Sequence, residues 1–273
     1  VTMRQEHASG DKLFVDYAGD TVTVVVDRLS GKTRQAHLFV AVLGASSLSY
    51  AQARWTETLP DWIECHVQAL EFFGGSPALL VPDNSKVAII KACHFDPQVN
   101  RTYCAMAAHY GSAVLPTRPR RPRDKAKVEA AVRIVERWLL GRLRHRVFYS
   151  LAEVNAAIME LLRDLNDVRV LRRVNCTRRQ LFEELDRPAL RPSPVERYVF
   201  AEWRIRRAGL DYHVEIERHY YSVPYRFARE QVEARITANT IEIFHKGERI
   251  AAHRRSSGNG KHTTIPDHMP SAH

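Results

Sequence analysis

The order of β-rich and helix-like segments in the first 146 residues indicates the fold class of this chain. Three β-rich runs come first, at 12–19, 21–27 and 35–44, with turns expected at Gly19-Asp20 and at 30–32. Helical and short strand patterns then alternate, at 59–75, 77–85, 97–111, 112–117 and 124–144. An antiparallel set of strands followed by αβ units predicts a layered α/β domain, in which helices flank a five-stranded mixed sheet.

The second half of the chain changes pattern twice. Helices are expected at 150–166, where Ser150 and Glu153 form a capping-box pattern, and at 177–185. Close-spaced β-rich runs between 203 and 254 predict a small all-β barrel. The predicted domains are an α/β domain (1–146), a helical extension with a Pro-rich linker (147–196), a small β-barrel (197–253) and a flexible tail (254–273).

Positive charge is concentrated in one segment. The chain has a formal net charge of +10, and residues 118–146 contain eleven Lys and Arg against three carboxylates. Such clustering favours a surface that binds a polyanion, with a solvated helix face as the alternative. Within the segment Glu129 stands alone after the basic run, and as a surface residue it would pair with Lys125.

Several classes of protein are disfavoured by what the sequence lacks. No stretch approaches the roughly 18 apolar residues of a membrane-spanning helix, and the N-terminal residues have no apolar signal core. The chain does not begin with Met, so we expect a fragment of a longer protein. Its four cysteines form no CxxC pair and are expected to be buried free thiols in a reducing cytosol.

Three carboxylates fall on predicted regular structure in separate elements. Asp16 lies within the first strand, Asp83 directly follows an apolar strand, and Glu129 lies in the amphipathic helix. Oxygen ligands of this kind suit Mg²⁺ or Mn²⁺, and two such ions catalyse phosphoryl transfer. The structural alternative is a turn cap at Asp83, a local hydrogen bond at Asp16 and a surface position for Glu129; spacing alone leaves both readings open.

Four stretches together resemble a known family. They are LFVDYAGDTVTVV (13–25), LVPDNSKVAI (80–89), AAHYGSAVLPTRPRRPRDKAKVEAAVRIVERWLL (107–140) and HYYSVPY (219–225). The chain resembles the DDE integrase core of IstA-type insertion-sequence transposases, relatives of retroviral integrase and Mu transposase. The resemblance covers nearly the whole chain and implies an RNase H-like catalytic domain at 1–146, followed by a small DNA-binding β-barrel.

The resemblance also implies the site and its partners. Asp16, Asp83 and Glu129 become the catalytic metal ligands for two Mg²⁺ or Mn²⁺ ions, and the DNA contacts are assigned to Asn84, Arg118, Arg120, Arg121, Arg123, Lys125 and Lys127. The expected activity is 3′-end cleavage and strand transfer of an insertion element. Expected partners are double-stranded transposon-end and target DNA, further copies in a synaptic complex, and an AAA+ ATPase helper, with no membrane. The expected location is the bacterial cytoplasm, at the nucleoid.

Rival assignments follow from the spacing. Asp83 and Glu129 are 46 positions apart, against about 35 in integrases, with the surplus placed in 85–100. Asp96 is therefore a rival to Asp83, although its position before Pro97 favours a helix N-cap. Glu136 rivals Glu129 on the same helical face. The alternative functions are an RNase H-like nuclease without strand transfer and a catalytically inactive DNA-binding protein.

Overall fold

The structure, a computed structural model, describes residues 8–82, 89–91, 98–116, 122–256 and 258–270, without the side chains of 89–91, 98–99 and 122–131. The chain divides into two compact units, Val1–Tyr198 and Val199–His273, which we call unit 1 and unit 2. No helix among the described residues is long and apolar enough to cross a membrane.

Unit 1 alternates strands and helices. Its strands are β1 (Lys12–Val25), β2 (Thr33–Leu43), β3 (Ser49–Arg54), β4 (Leu79–Pro82), β5 (Ile89–Lys91), β6 (Gln98–Val99), β7 (Ala113–Val114), β8 (Val170–Leu171) and β9 (Cys176–Thr177). Its α-helices are α1 (Leu59–Phe73), α2 (Arg101–His109), α3 (Pro122–Leu143), α4 (Leu151–Arg163) and α5 (Arg178–Leu181). Two π-helical turns, Asp164–Val168 and Phe182–Asp186, extend α4 and α5.

A five-stranded mixed sheet organises unit 1, as the sequence predicted. Its order is β3-β2-β1-β4-β7, with antiparallel pairing among β1, β2 and β3 and parallel pairing from β1 through β4 to β7. Strand β1 therefore lies at the centre, bonded to an antiparallel neighbour on one side and a parallel neighbour on the other. The α/β fold class is confirmed.

The predicted hairpin at Gly19-Asp20 is wrong. Residues 12–25 form one strand, and Gly19-Asp20 lies within the irregularity where the register with β2 shifts between Tyr17 and Thr21. The chain reverses later, where Gly31 has a left-handed φ of 68° and Asp27 accepts hydrogen bonds from the Leu29 N–H and the Ser30 hydroxyl. Glycine followed by aspartate here produces a bulge instead of a turn. The third antiparallel strand, β3, was not predicted.

Local signals set the helix boundaries. Gly74 ends α1 in the left-handed conformation, with its N–H bonded to carbonyls of the last turn. Ser150 caps α4 by accepting from the Glu153 N–H at 3.1 Å, as its sequence pattern predicted. Helix α2 begins later than predicted, at Arg101, and Asn100 is its N-cap. Asp96, the expected N-cap, lies outside the described residues.

Side chains on β1 alternate between two cores. Phe14, Ala18, Val22 and Val24 pack in one cluster with the buried face of α3 and with α4. On the opposite side of the sheet, Tyr17 contacts Phe39 of β2 and Trp62 of α1. Both faces of the central strand are therefore covered by helices.

His66 lies in this second core and is completely buried. Its Nδ1 donates to the Trp62 carbonyl at 2.8 Å, which leaves Nε2 to accept from the Tyr103 hydroxyl at 2.9 Å. Burial lowers the pKa of His66 to about 4. The imidazole is thus neutral in the folded chain at pH 7.

The end of unit 1 is tied to its beginning by a buried carboxylate. Asp186 is 1% exposed, and its two oxygens accept from the N–H of Gly10 at 2.8 Å and of Ser46 at 2.9 Å. Close packing follows, since a Cβ on Gly10 would lie 2.6 Å from the Ala189 carbonyl oxygen. The helical extension is therefore part of the α/β unit.

The Pro-rich segment 187–196 is fixed to the surface of unit 1. Arg191 and Ser76 exchange two backbone hydrogen bonds, each 2.9 Å long. Arg197 forms ion pairs with Glu64 and Glu71 of α1 at 2.7 and 2.8 Å. We call residues 186–198 the strap, because they bind along unit 1 up to the point where unit 2 begins. The prolines predicted a linker from composition, whereas these distant contacts hold the segment in place.

Unit 2 is rich in β-structure, as predicted. Its strands are β10 (Glu202–Arg207), β11 (His213–Ile216), β12 (His219–Ser222), β13 (Gln231–Ile236), β14 (Thr240–His245), β15 (Glu248–Arg254) and β16 (His262–Thr263). They form a four-stranded sheet, β10-β13-β14-β15, and a three-stranded sheet, β11-β12-β16. Among the described residues no strand pairing joins the two sheets into a closed barrel. Val214, Ile241 and Ile243 belong to its buried core.

Part of segment 254–273, predicted to be a flexible tail, is regular structure. Strand β16 pairs in parallel with Tyr220 and Tyr221. The Thr263 hydroxyl lies 2.8 Å from His219 Nε2, and the Thr264 hydroxyl lies 2.9 Å from His213 Nε2. These bonds connect polar residues over long sequence separations, which a composition-based prediction does not detect.

Three cysteines lie among the described residues and are free thiols. Cys65 is buried, which raises its pKa to about 12. Cys104 is exposed and Cys176 is partly exposed, so the expectation of burial is correct only for Cys65.

Replacing Asp186 with alanine should destabilise unit 1. Two buried N–H groups would lose their acceptor, and we expect the free energy of unfolding to fall by about 3 kcal/mol or more. Asp167→Ala is the matched control, because Asp167 forms an exposed pair with Arg179 and its loss should cost less than about 1 kcal/mol. Urea denaturation measures both. Equal, small losses would contradict the role of Asp186.

Acid should weaken the fold through His66. Between pH 6.5 and about 4 the unfolded chain binds a proton at this residue that the folded chain excludes, so stability is lost as the pH falls. The contribution is roughly 3 kcal/mol. We expect the stability difference between the native chain and His66→Gln to shrink between pH 7 and 4.5. Replacing the exposed His145 with Gln controls for the loss of a histidine as such, and a constant His66 difference would refute the assignment.

Candidate active site

Asp16 lies in the middle of the sheet on β1, where it is half-buried and paired with Val40 of β2. One carboxylate oxygen accepts from the Tyr17 N–H at 2.8 Å. By strand alternation its side chain shares the face of Phe14 and Ala18, which is the face that packs against α3. A carboxylate is therefore placed between the central strand and the long helix.

The paired residues of β1 and β4 extend as far as Val15, the residue before Asp16. Val15 is the register partner of Pro82, the last residue of β4. In the sequence Asp16 follows Val15 and Asp83 follows Pro82. Asp83 and Asn84 lie outside the described residues, so the structure does not test their assignments.

Helix α3 runs beside β1 in the same general direction. Glu136 interacts electrostatically with Asp20, and shortly after the helix ends the Val25 N–H donates to the Phe148 carbonyl at 2.8 Å. Val132, Val135 and Leu139 of α3 are buried. Glu129 belongs to α3, but its side chain is among those not described.

A groove of about 850 Å³ lies between α3 and the second half of β1. Its lining includes Asp20 and Glu136 together with the arginines Arg133, Arg137, Arg144 and Arg146. Burial raises the pKa of Glu136, as does the charge of Asp20, while Arg133 acts in the opposite direction. Glu136 thus belongs to a groove farther along β1 than Asp16.

The predicted DNA-binding side chains are not among those described. Arg118, Arg120 and Arg121 fall in 117–121, and Arg123, Lys125 and Lys127 lie in the first turns of α3, whose side chains are not described. The rival residue Asp96 falls in 92–97. Their roles remain predictions.

The described side chains do not by themselves constitute a metal centre. Within the described part of the chain, no group of three or more His, Cys, Asp or Glu side chains is arranged to hold a metal ion. Two of the three expected ligands, Asp83 and Glu129, are outside that set. The chemistry of the donor set fits a hard divalent cation, since all three are carboxylates.

The DNA contacts predicted from the sequence end at Lys127 and do not include the basic residues farther along α3. Arg133 and Arg137 line the groove, and Arg142 lies over the Trp138 ring, with 3.2 Å between its Cζ and the ring centroid. Arg133 and Arg137 are four residues apart, which places them on one face of a helix. That spacing could have identified them from sequence, because they belong to the charge-rich segment 118–146.

Comparison with known proteins shows what the chain is similar to. The chain is 64% identical over 273 residues to "Putative transposase y4uI" of Sinorhizobium fredii, covering all of this chain and 53% of that protein. It is 54% identical over 272 residues to "Putative transposase for insertion sequence IS408" of Burkholderia multivorans, covering all of this chain and 52% of that protein. Along its whole length the chain is similar to proteins named as transposases of insertion sequences. It spans about half the length of the curated relatives that it matches most strongly.

Two further matches accompany this transposase assignment. Residues 193–265 match the family described as Mu transposase, C-terminal domain. The matched residues include most of unit 2. Among solved structures, the catalytic core domain of HTLV-2 integrase in complex with magnesium has a TM-score of 0.45 and 16% identity. That match covers 65% of this chain and 98% of the integrase chain. The similarity to the curated transposases and the match to the Mu transposase C-terminal domain confirm the family resemblance seen in the sequence motifs.

Proposed function

We propose that this transposase chain carries the catalytic core for 3′-end cleavage and strand transfer of an insertion element. The observation that carries the proposal is the register of β1 and β4. Pairing of Val15 with Pro82 brings two strands together at positions that directly precede Asp16 and Asp83 in the sequence. Similarity to transposases of insertion sequences supports DNA as the substrate class.

The direction of α3 supports Glu129 as the third carboxylate. Glu136 interacts with Asp20, and Glu129 precedes Glu136 by two helical turns, or about 10 Å. Asp16 precedes Asp20 by four strand residues, or about 13 Å. Because helix and strand run in the same direction, Glu129 and Asp16 are expected at similar heights along the sheet. Glu136 is offset from Asp16 by the same reasoning.

Asp16, Asp83 and Glu129 would hold the divalent cations of this site. Two Mg²⁺ or Mn²⁺ ions bound there would activate the attacking hydroxyl and stabilise the leaving oxygen in phosphoryl transfer. Two observations support this role: Asp16 lies half-buried on the central strand, and one of its carboxylate oxygens accepts from the Tyr17 N–H. The basic residues of 118–127, with Asn84, would hold the DNA backbone near the scissile phosphate.

We further propose a division of labour along the chain. Residues 1–146 would perform the chemistry, 147–196 would support it through the helical extension and the strap, and the β-rich unit from 197 would contact DNA. The family resemblance also implies synapsis by several copies, an AAA+ ATPase helper and a nucleoid location. These partners are proposals for the longer transposase, of which the chain matches about half.

Asp16→Asn should abolish the chemistry while leaving the fold and DNA affinity intact. Removal of a metal ligand is expected to cost several kcal/mol of transition-state stabilisation. The cleavage rate should therefore fall roughly 100-fold or more. Asp20→Asn is the matched control, because Asp20 is an exposed carboxylate on the same strand. The measurement is cleavage of labelled element ends with Mg²⁺. Unchanged cleavage by Asp16→Asn would contradict the proposed metal mechanism, whereas absence of cleavage by the native chain would favour the catalytically inactive DNA-binding protein.

Glu129→Gln and Glu136→Gln distinguish the two helix carboxylates. We expect Glu129→Gln to lose cleavage to a similar degree as Asp16→Asn, since both remove a charged ligand. Glu136→Gln should retain most of the activity, because Glu136 faces Asp20 in the groove. The same end-cleavage assay compares them. The reverse ranking would identify Glu136 as the ligand.

Joining of cleaved ends to a target plasmid separates a transposase from a nuclease. The full-length transposase should yield joined products that depend on Asp16. Cleavage without joining, under conditions where the ends are synapsed, would favour the nuclease alternative.

A further inference from the structure

A second concentration of positive charge lies away from the predicted DNA-binding run. It surrounds Trp138 of α3, whose Nε1 donates to the Leu161 carbonyl of α4 at 3.3 Å. This bond and the contact of Trp138 with the core fix the indole at the junction of the two helices. The ring therefore offers a rigid surface on which charged side chains can be arranged.

Two guanidinium groups stack on this one indole. Arg142 Cζ lies 3.2 Å from the ring centroid and Arg169 Cζ lies 4.6 Å from it. Arg142 also donates from Nη1 to the Trp138 carbonyl at 3.4 Å. Stacking orders the planar guanidinium groups and leaves their N–H groups available for an anion.

The β8–β9 hairpin adds to this surface. It carries Arg172 and Arg173, both exposed, next to Arg169 in the chain. Val168, Val170 and Val174 are exposed on the same segment, by 67%, 47% and 44%. An exposed hairpin that combines arginines with unburied valines is typical of a contact surface.

Carboxylates in this region do not neutralise these arginines. Asp167 is bonded to Arg179 at 3.0 Å, and Glu160 lies 3.8 Å from Arg146. Among the side chains that the structure describes, none forms an ion pair with Arg142, Arg169, Arg172 or Arg173. The pKa of the neighbouring Arg178 is lowered by burial and by the charge of Arg169, which agrees with a positive local potential.

We propose that Arg142, Arg169, Arg172 and Arg173 around Trp138, which we call the Trp138 patch, form a second DNA-contact surface of unit 1 that binds backbone phosphates. Uncompensated arginines with planar donors match phosphate oxygens in charge and geometry. The choice of DNA over an acidic protein rests on the proposed function. The patch lies outside the predicted run 118–127 and would hold DNA beyond the cleavage site.

Salt dependence of DNA binding tests the Trp138 patch. We expect Arg172→Gln/Arg173→Gln to weaken binding to a DNA duplex roughly tenfold or more at moderate salt. The slope of log affinity against log salt concentration should decrease by about 2, because each lost phosphate contact removes about one released counterion. Fluorescence anisotropy of a labelled duplex measures both quantities.

The matched control is Lys12→Gln/Arg187→Gln. It removes the same charge from unit 1, but Lys12 lies 3.2 Å from Asp11 and Arg187 lies 2.5 Å from Glu183. We expect it to change the slope by less than about 1. Arg169→Lys should keep the slope, since the charge remains. Equal slopes for test and control double variants, with thermal melts confirming that both are folded, would overturn the proposal.

Two comparisons separate this inference from the proposed function. Asp16→Asn removes cleavage if the catalytic proposal is right, but it leaves the Trp138 patch intact, so the salt slope still reports on the patch. If Asp16→Asn is fully active, the catalytic proposal is contradicted and the proposal for the Trp138 patch is not affected. Binding of polyglutamate as tight as that of DNA, with the same dependence on Arg172 and Arg173, would overturn the choice of DNA and indicate an acidic protein partner.

Discussion

The alternation of side chains along β1 is the constraint on which the rest of unit 1 depends. This strand pairs with β2 and β4 at once, so its register is fixed from both sides. Phe14 and Ala18 pack toward α3, whereas Tyr17 packs toward Trp62 of α1. A slip of one residue would exchange the two faces, burying Asp16 among the aromatic rings and Tyr17 against α3. Packing of the two cores thereby determines which side of the sheet carries the carboxylate.

Asp186 and the rest of the strap fix the last residues of unit 1 against its first strands. Asp186 joins Gly10, just before β1, to Ser46 in the turn after β2. The strap continues across Ser76 and ends with Arg197 on α1. Elements that flank the central strand are therefore held by residues more than a hundred positions away. These contacts hold the proline-rich segment against the rest of unit 1.

Sequence reasoning predicted the parts of the fold that local patterns determine. Helices α1 and α4 followed from apolar periodicity with recognisable caps, and the mixed sheet followed from the order of segments. Gly19-Asp20 was misread because a bulge and a turn share the same residues, and only pairing with β2 decides between them. The strap was missed because the Gly10–Asp186 bond spans 176 positions. Asp16 could be proposed from the sequence because a charge inside a β-strand is conspicuous, whereas the Trp138 patch depends on packing of α3 against α4.

A short hairpin lies in the long interval between Asp83 and Glu129 and accounts for part of its length. Strands β5 and β6 pair with one another after β4 and before α2, in the segment where the surplus residues were expected. They pair with each other and not with the main sheet, whose order still passes from β4 to β7. An inserted hairpin of this kind lengthens the chain without changing which strands are neighbours. The larger spacing is therefore compatible with Asp83 as a ligand, while its rival Asp96 lies outside the described residues.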